Sequence, residues 1–94
     1  MLTNEQRARA VELLRVRKRN YQLVFAQPGS TEVLEDLQRF CRGKASCWHP
    51  DPRIHAALEG RREVFLRIEQ HLEHSPEELV DLYGATVLGE EGEE

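Results

Sequence analysis

No apolar run in this chain approaches the roughly 20 residues with which a helix crosses a bilayer, so a helical membrane span is excluded and a soluble protein is expected. Aromatic residues are scarce, at 6% with a single tryptophan, so the core must be lean and much of the surface wet. Cysteine is limited to Cys41 and Cys47, and the opening MLTNEQ carries no apolar secretory stretch. The pair therefore does not read as a secreted disulfide framework, and a reducing, intracellular origin is expected. Also missing are a G-x-S-x-G elbow, a phosphate-cradling glycine loop and an H-E-x-x-H pair. Without them nothing nominates a catalytic residue, and neither an enzyme nor a cofactor is expected.

What is present has the pattern of a small helical protein. The 94 residues allow one domain, and a chain of this size buries only about 60–65% of its unfolded surface, so its stability margin is thin and a partner would widen it. Charge is distributed unevenly around a net of −4. Arg7, Arg9, Arg15, Arg17, Lys18 and Arg19 make the front basic, whereas Glu77, Glu78, Asp81, Glu90, Glu91, Glu93 and Glu94 lie in a stretch without lysine or arginine. Ends of opposite sign can attract head to tail between copies.

Periodicity and capping chemistry set the elements. Thr3 and Gln6 form a capping box, and Ala10, Leu13, Leu14, Arg17, Tyr21 and Val24/Phe25 recur at helical spacing, predicting a first helix from Asn4 to about Phe25 or, given the polar interior around Val16 to Asn20, one that breaks near Asn20 and restarts. Gln27-Pro28-Gly29-Ser30 is a break. Ser30 or Thr31 caps a second helix whose apolar stripe of Val33, Leu34, Leu37, Phe40 and Cys41 is the strongest periodic signal, and Gly43 ends it. Asp51 as N-cap and Pro52 at the first position open a third helix striped by Ile54, Ala57/Leu58, Arg61, Val64/Phe65, Ile68 and Leu72. Ser75-Pro76-Glu77-Glu78 caps a short fourth helix that Gly84 stops. The expected architecture is all-α: a single helical domain over 1–84, with helices two and three an antiparallel pair, and an acidic flexible tail over 85–94.

Cys41, Cys47, His49 and His55 supply four metal-binding side chains within fifteen residues, but five residues separate the cysteines and the histidines alike, unlike the closer ligand pairs of zinc sites. Cys41 reads instead as a small buried hydrophobe and the histidines as surface residues, with no metal. Lys44 and His49 beside Cys47 are too little to make it a nucleophile. The Arg15–Arg19 run lacks interleaved aromatics and reads as a helix face turned to water or a protein, so nucleic acid is possible but not favoured. Gly60 inside the third helix costs roughly 1 kcal/mol against alanine, which a closely approaching helix would explain. Arg61, on or near the apolar stripe, wants a carboxylate such as Asp36 or Glu32. Trp48 either closes the core from the loop, the favoured reading, or anchors another protein. The residues nominated for contact are Arg15, Arg17, Arg19 and Trp48, with Arg61 and Arg62 bridging helices or chains.

Tyr21, Phe25, Gly29, Val33-Leu34-Glu35-Asp36-Leu37, Phe40-Cys41 and then Glu59-Gly60-Arg61-Arg62-Glu63-Val64 with Ile68 and Leu72 form two short motifs in order. Over about Tyr21 to Leu79 they resemble a family of small tailed-phage proteins typified by a protein of a Bordetella podophage. The resemblance implies a small helical product of the phage morphogenesis region, without catalytic residues, acting in virion structure, assembly or DNA delivery. It implies partners among other phage structural proteins, a homo-oligomer, and a place in the virion or the host cytoplasm. A different class of function, a small phage effector that binds and inhibits a host enzyme or nucleic-acid machine, fits the same residues. The Cys47-Trp48-His49 loop and the acidic end match nothing in the family pattern.

Overall fold

A computed structural model describes residues 1–91 of the chain, which are all-helical with no strand among them. The helices are α1 (Asn4–Val24), α2 (Ser30–Phe40), α3 (Pro52–Glu73) and α4 (Pro76–Glu91). They fall into two compact units, one of Met1–Leu23 with the chain from Gln70 onward, the other of Val24–Glu69.

The first unit is built from α1 and α4. The Thr3 capping box forms as expected: Gln6 N–H donates to Thr3 Oγ1 at 3.1 Å and Thr3 N–H to Gln6 Oε1 at 2.9 Å, satisfying two otherwise orphaned donors. Ala10 and Leu14 of α1 are fully buried against Leu79, Val80 and Val87 of α4. Lys18 Nζ donates to the carbonyls of His71 and Leu72 at 3.2 and 3.1 Å, placing a cation on the last turn of α3, where the dipole favours it. His71 is fully buried and stacks on Tyr21 with ring centroids 4.4 Å apart, while the Tyr83 ring lies tilted to it with centroids 5.0 Å apart and donates its hydroxyl to Gln70 Oε1.

Helix α4 begins where the sequence places it. Glu78 N–H donates to Ser75 Oγ at 3.1 Å and Ser75 N–H to Glu78 Oε1 at 3.0 Å. Those Ser75 hydrogen bonds, with a smaller contribution from His74, hold the Glu78 carboxyl below its ordinary value of 4.5. A lowered carboxyl stabilises the fold above the unfolded value and loses that contribution as the pH falls through the folded one. Acidification below about pH 4.5 should therefore loosen the start of α4, and Glu78→Gln should flatten that part of the stability profile in circular-dichroism melts. An unchanged acid limb in Glu78→Gln would refute the assignment.

The stop expected at Gly84 does not occur. Gly84 is buried inside α4, where a Cβ would meet Val80 Cγ1 at 2.9 Å and Leu2 Cδ1 at 3.1 Å. A glycine ends a helix by adopting left-handed backbone, and Gly84 does not; it makes room for Leu2 while Val80, Tyr83 and Val87 continue the apolar face. Helix thus covers 85–91, the described part of the expected tail, and 92–94 lie outside the described residues.

The second unit holds the turn after α1, then α2, the loop and most of α3. The cap of α2 is Gly29, in left-handed backbone at φ 87°, and not Ser30 or Thr31; the Ser30 hydroxyl donates backward to Phe25 O at 2.7 Å. At the other end Gly43 N–H bonds Gln38 O at 2.9 Å and Arg42 N–H bonds Arg39 O at 3.3 Å. This is the Schellman closure, but the left-handed position is taken by Arg42 at φ 52° and Gly43 lies one residue beyond. Asp51 caps α3 through Oδ1 to Arg53 N–H at 2.9 Å. Buried apolar residues of this unit are few: Cys41, Cys47, Leu58 and Phe65.

Two expectations about α2 and α3 need correcting. None of the α2 residues is buried, and Val33 and Phe40 of its strong stripe are exposed, as are Ile54 and Val64 of α3. A stripe records what a helix is able to bury and not what covers it. Gly60 has nothing within 4 Å of where a Cβ would stand, so no neighbouring helix explains it. Gly60→Ala should consequently raise stability by about 0.5–1 kcal/mol, read as a melting temperature a few degrees higher. A lower melting temperature would mean that the glycine serves a contact outside this chain's described residues.

Candidate protein-contact surface

The six residues nominated from the sequence divide evenly between the units. In the first, Arg15 Nε lies 3.2 Å from Glu12 Oε1 and its Nη2 lies 3.8 Å from Glu77 Oε1, both as exposed pairs of the kind worth about 0–1 kcal/mol. Arg17, mostly buried, donates to Glu90 Oε2 at 2.7 Å, and Arg7 reaches Asp81 at 3.5 Å. The basic front and acidic end thus meet within one unit, which uses in cis the attraction expected between copies. Arg19 is exposed.

In the second unit Trp48 is 71% exposed, which overturns its reading as a core residue. Its backbone N–H donates to Ser46 Oγ at 3.1 Å, so the segment that carries the indole is held while the ring faces solvent. Arg61 does not find Asp36 or Glu32; its guanidinium carbon sits 4.5 Å over the Phe40 ring, a cation–π contact between α3 and α2. Arg62 is half-buried.

Three of the four candidate metal-binding side chains turn to other partners. Cys47, buried, directs its thiol to Leu58 O at 3.7 Å, and His55 Nδ1–H donates to Cys47 O at 3.0 Å. His49 Nδ1 accepts the Asp51 N–H at 3.0 Å, which helps set the entry to α3. Cys41 is a buried free thiol. Among the described residues no group of three or more histidine, cysteine or acidic side chains is placed to hold a metal ion.

One feature leaves no mark in the sequence. Gln38, Arg39, Arg42, Lys44 and Ala45 line an open concavity of about 380 Å³. Arg42 Nη1 reaches Ser46 O at 3.3 Å. Charge here is basic, yet along the chain these cations are scattered singly and form no run to notice.

Residues 21–83, well over half of the chain, match the family model of Bbp19-like phage proteins. The chain belongs to this family. The match takes in all of α2 and α3 and the start of α4, so the Schellman turn, the Cys47-Trp48-His49 loop and the capping box at Ser75 all lie inside the family region. It agrees with the resemblance carried by the motifs around Val33–Leu37 and Glu59–Val64. No curated protein and no solved structure matches the chain. Among the described residues no helix of this family member is long and apolar enough to cross a membrane.

Proposed function

We propose that this phage protein is a non-catalytic component of the virion or of its assembly, acting through contacts with other phage structural proteins and with further copies of itself. The observation that carries the reading is α2. Val33 and Phe40, seven residues apart on one face with half-buried Leu37 between them, stay exposed in a chain that has few large apolar residues to spare. Exposed apolar stripes on small proteins are where other proteins bind. In this reading α2 and α3 form an antiparallel pair braced by Arg61 on Phe40, and Trp48 and Arg19 reach outward as contact residues. Arg62 bridges helices or chains, and Arg15 and Arg17 contribute through the unit they hold together. The protein resides in the virion or, before assembly, in the host cytoplasm.

Mass spectrometry of purified particles tests the role. A fixed copy number per particle is expected, and sedimentation velocity of the isolated protein should show a species larger than the monomer. Absence from particles would instead favour an effector that binds a host enzyme.

A further inference from the structure

The geometry points to the turn after α2 as the docking site for an acidic segment of another protein, one that carries an aromatic or aliphatic anchor. The inference rests on the protein-contact role proposed above and supplies the surface and the partner chemistry which that role leaves open.

The first observation is the backbone of Arg42. Its φ of 52° is the only positive value at a non-glycine residue among those described. A glycine would close the Schellman turn without the strain that an L side chain brings to left-handed backbone. Strain of this kind persists where a side chain has a use. The use is visible in the surroundings: Arg42, Arg39 and Lys44 face one concavity, and no carboxylate among the described residues forms an ion pair with any of the three. Elsewhere in the chain, arginines such as Arg7, Arg15 and Arg17 find acidic partners.

The second observation is apolar. Ser46 ties the turn together, its carbonyl accepting from Arg42 Nη1 and its hydroxyl from the Trp48 N–H. Ser46 thus links the Arg42 guanidinium to the backbone of Trp48, whose exposed ring follows the turn in the chain, with Phe40 exposed just before the turn and Arg61 over the Phe40 ring. Exposed tryptophan with arginine is the composition that carries most of the energy in protein interfaces. Unpaired cations select carboxylates, and the aromatic rings select an apolar anchor. A nucleic acid fits less well. The α2 face leading to the turn is aliphatic at Val33 and Leu37, which an apolar anchor can cover and a phosphate chain cannot.

Because Trp48 is the sole tryptophan, its fluorescence reports directly on the site. The full-length protein is titrated with a synthetic peptide of glutamates surrounding one Phe–Leu pair. A saturable blue shift that weakens with added salt is expected, with no response to the lysine version of the peptide or to an oligothymidylate. Arg42→Gly removes the guanidinium and relieves the backbone, so it should melt no lower than the parent and yet bind about tenfold more weakly; Lys44→Gln should weaken binding as well. The inference is overturned by no shift with the acidic peptide, by unchanged affinity in both variants, or by tighter binding of the oligothymidylate, which would assign the turn to single-stranded nucleic acid. Copy number in particles is independent of these results. A virion protein whose turn ignores the acidic peptide loses only this inference, whereas absence from particles removes the role itself.

Discussion

Leu14→Ala should lower the melting temperature by about ten degrees or more, with the loss seen in the near-ultraviolet signal of the tyrosines. Leu14 is fully buried in a core of five residues, Ala10, Leu14, Leu79, Val80 and Val87. Removing a buried leucine side chain costs about 2–5 kcal/mol, from lost transfer energy and from the cavity left behind. In a protein of this size each kcal/mol shifts the midpoint by roughly 4–8 °C. The low end of that range applies where neighbours collapse into the hole, and the facing residues here give little help. Ala10 has no length to extend, and Leu79 is itself fully buried. Both tyrosines, Tyr21 and Tyr83, belong to the same unit as Leu14, so the tyrosine part of the signal reports this unit, and a Trp48→Phe background removes the overlapping indole band. A shift of under about two degrees would mean that the α1–α4 core does not carry the stability assigned to it.

The difference between what the sequence revealed and what it concealed is one of range. Capping boxes at Thr3 and Ser75 and the Asp51-Pro52 start of α3 were legible because the partners lie two to three residues apart and the chemistry is local. Gly84 misled because glycine carries the same letter whether it ends a helix or admits Leu2 against its backbone, and Leu2 is far away in sequence. Gly60 misled in the opposite sense, since no neighbour explains it. Trp48 shows the limit of composition: scarcity of large residues argued for burial, but Cys47 fills the buried position beside it and leaves the indole outside. The basic concavity was invisible because Arg39, Arg42 and Lys44 converge only when the chain reverses at Arg42. Family membership, in contrast, could be read from two short motifs, both of which lie within the matched residues 21–83.

The same reversal yields the second large effect. Gly43→Ala should destabilise the protein by about 1–3 kcal/mol, the usual range for overpacking a filled core. A Cβ on Gly43 would stand 2.6 Å from Phe65 Cε2 and 3.2 Å from its Cγ, the first of them closer than a real Cβ approaches any neighbour. The clash falls on a rigid ring and not on the free end of a flexible chain, and Phe65 is only 5% exposed, so it has nowhere to swing. Nor does the backbone escape easily, because Gly43 N–H is committed to Gln38 O. Gly43 therefore serves the approach of Phe65, which explains why the glycine sits one residue past the left-handed position that Arg42 occupies. Two companion variants test this as a pair of opposites. Arg42→Gly, one residue away, should be neutral or stabilising, and Phe65→Leu should soften the penalty of Gly43→Ala, giving a favourable coupling in a double-mutant cycle. Thermal melts of the four proteins in that cycle decide the matter: if Gly43→Ala melts with the parent, or if its cost is the same in the Phe65→Leu background as beside the native ring, the close approach is not what requires glycine there.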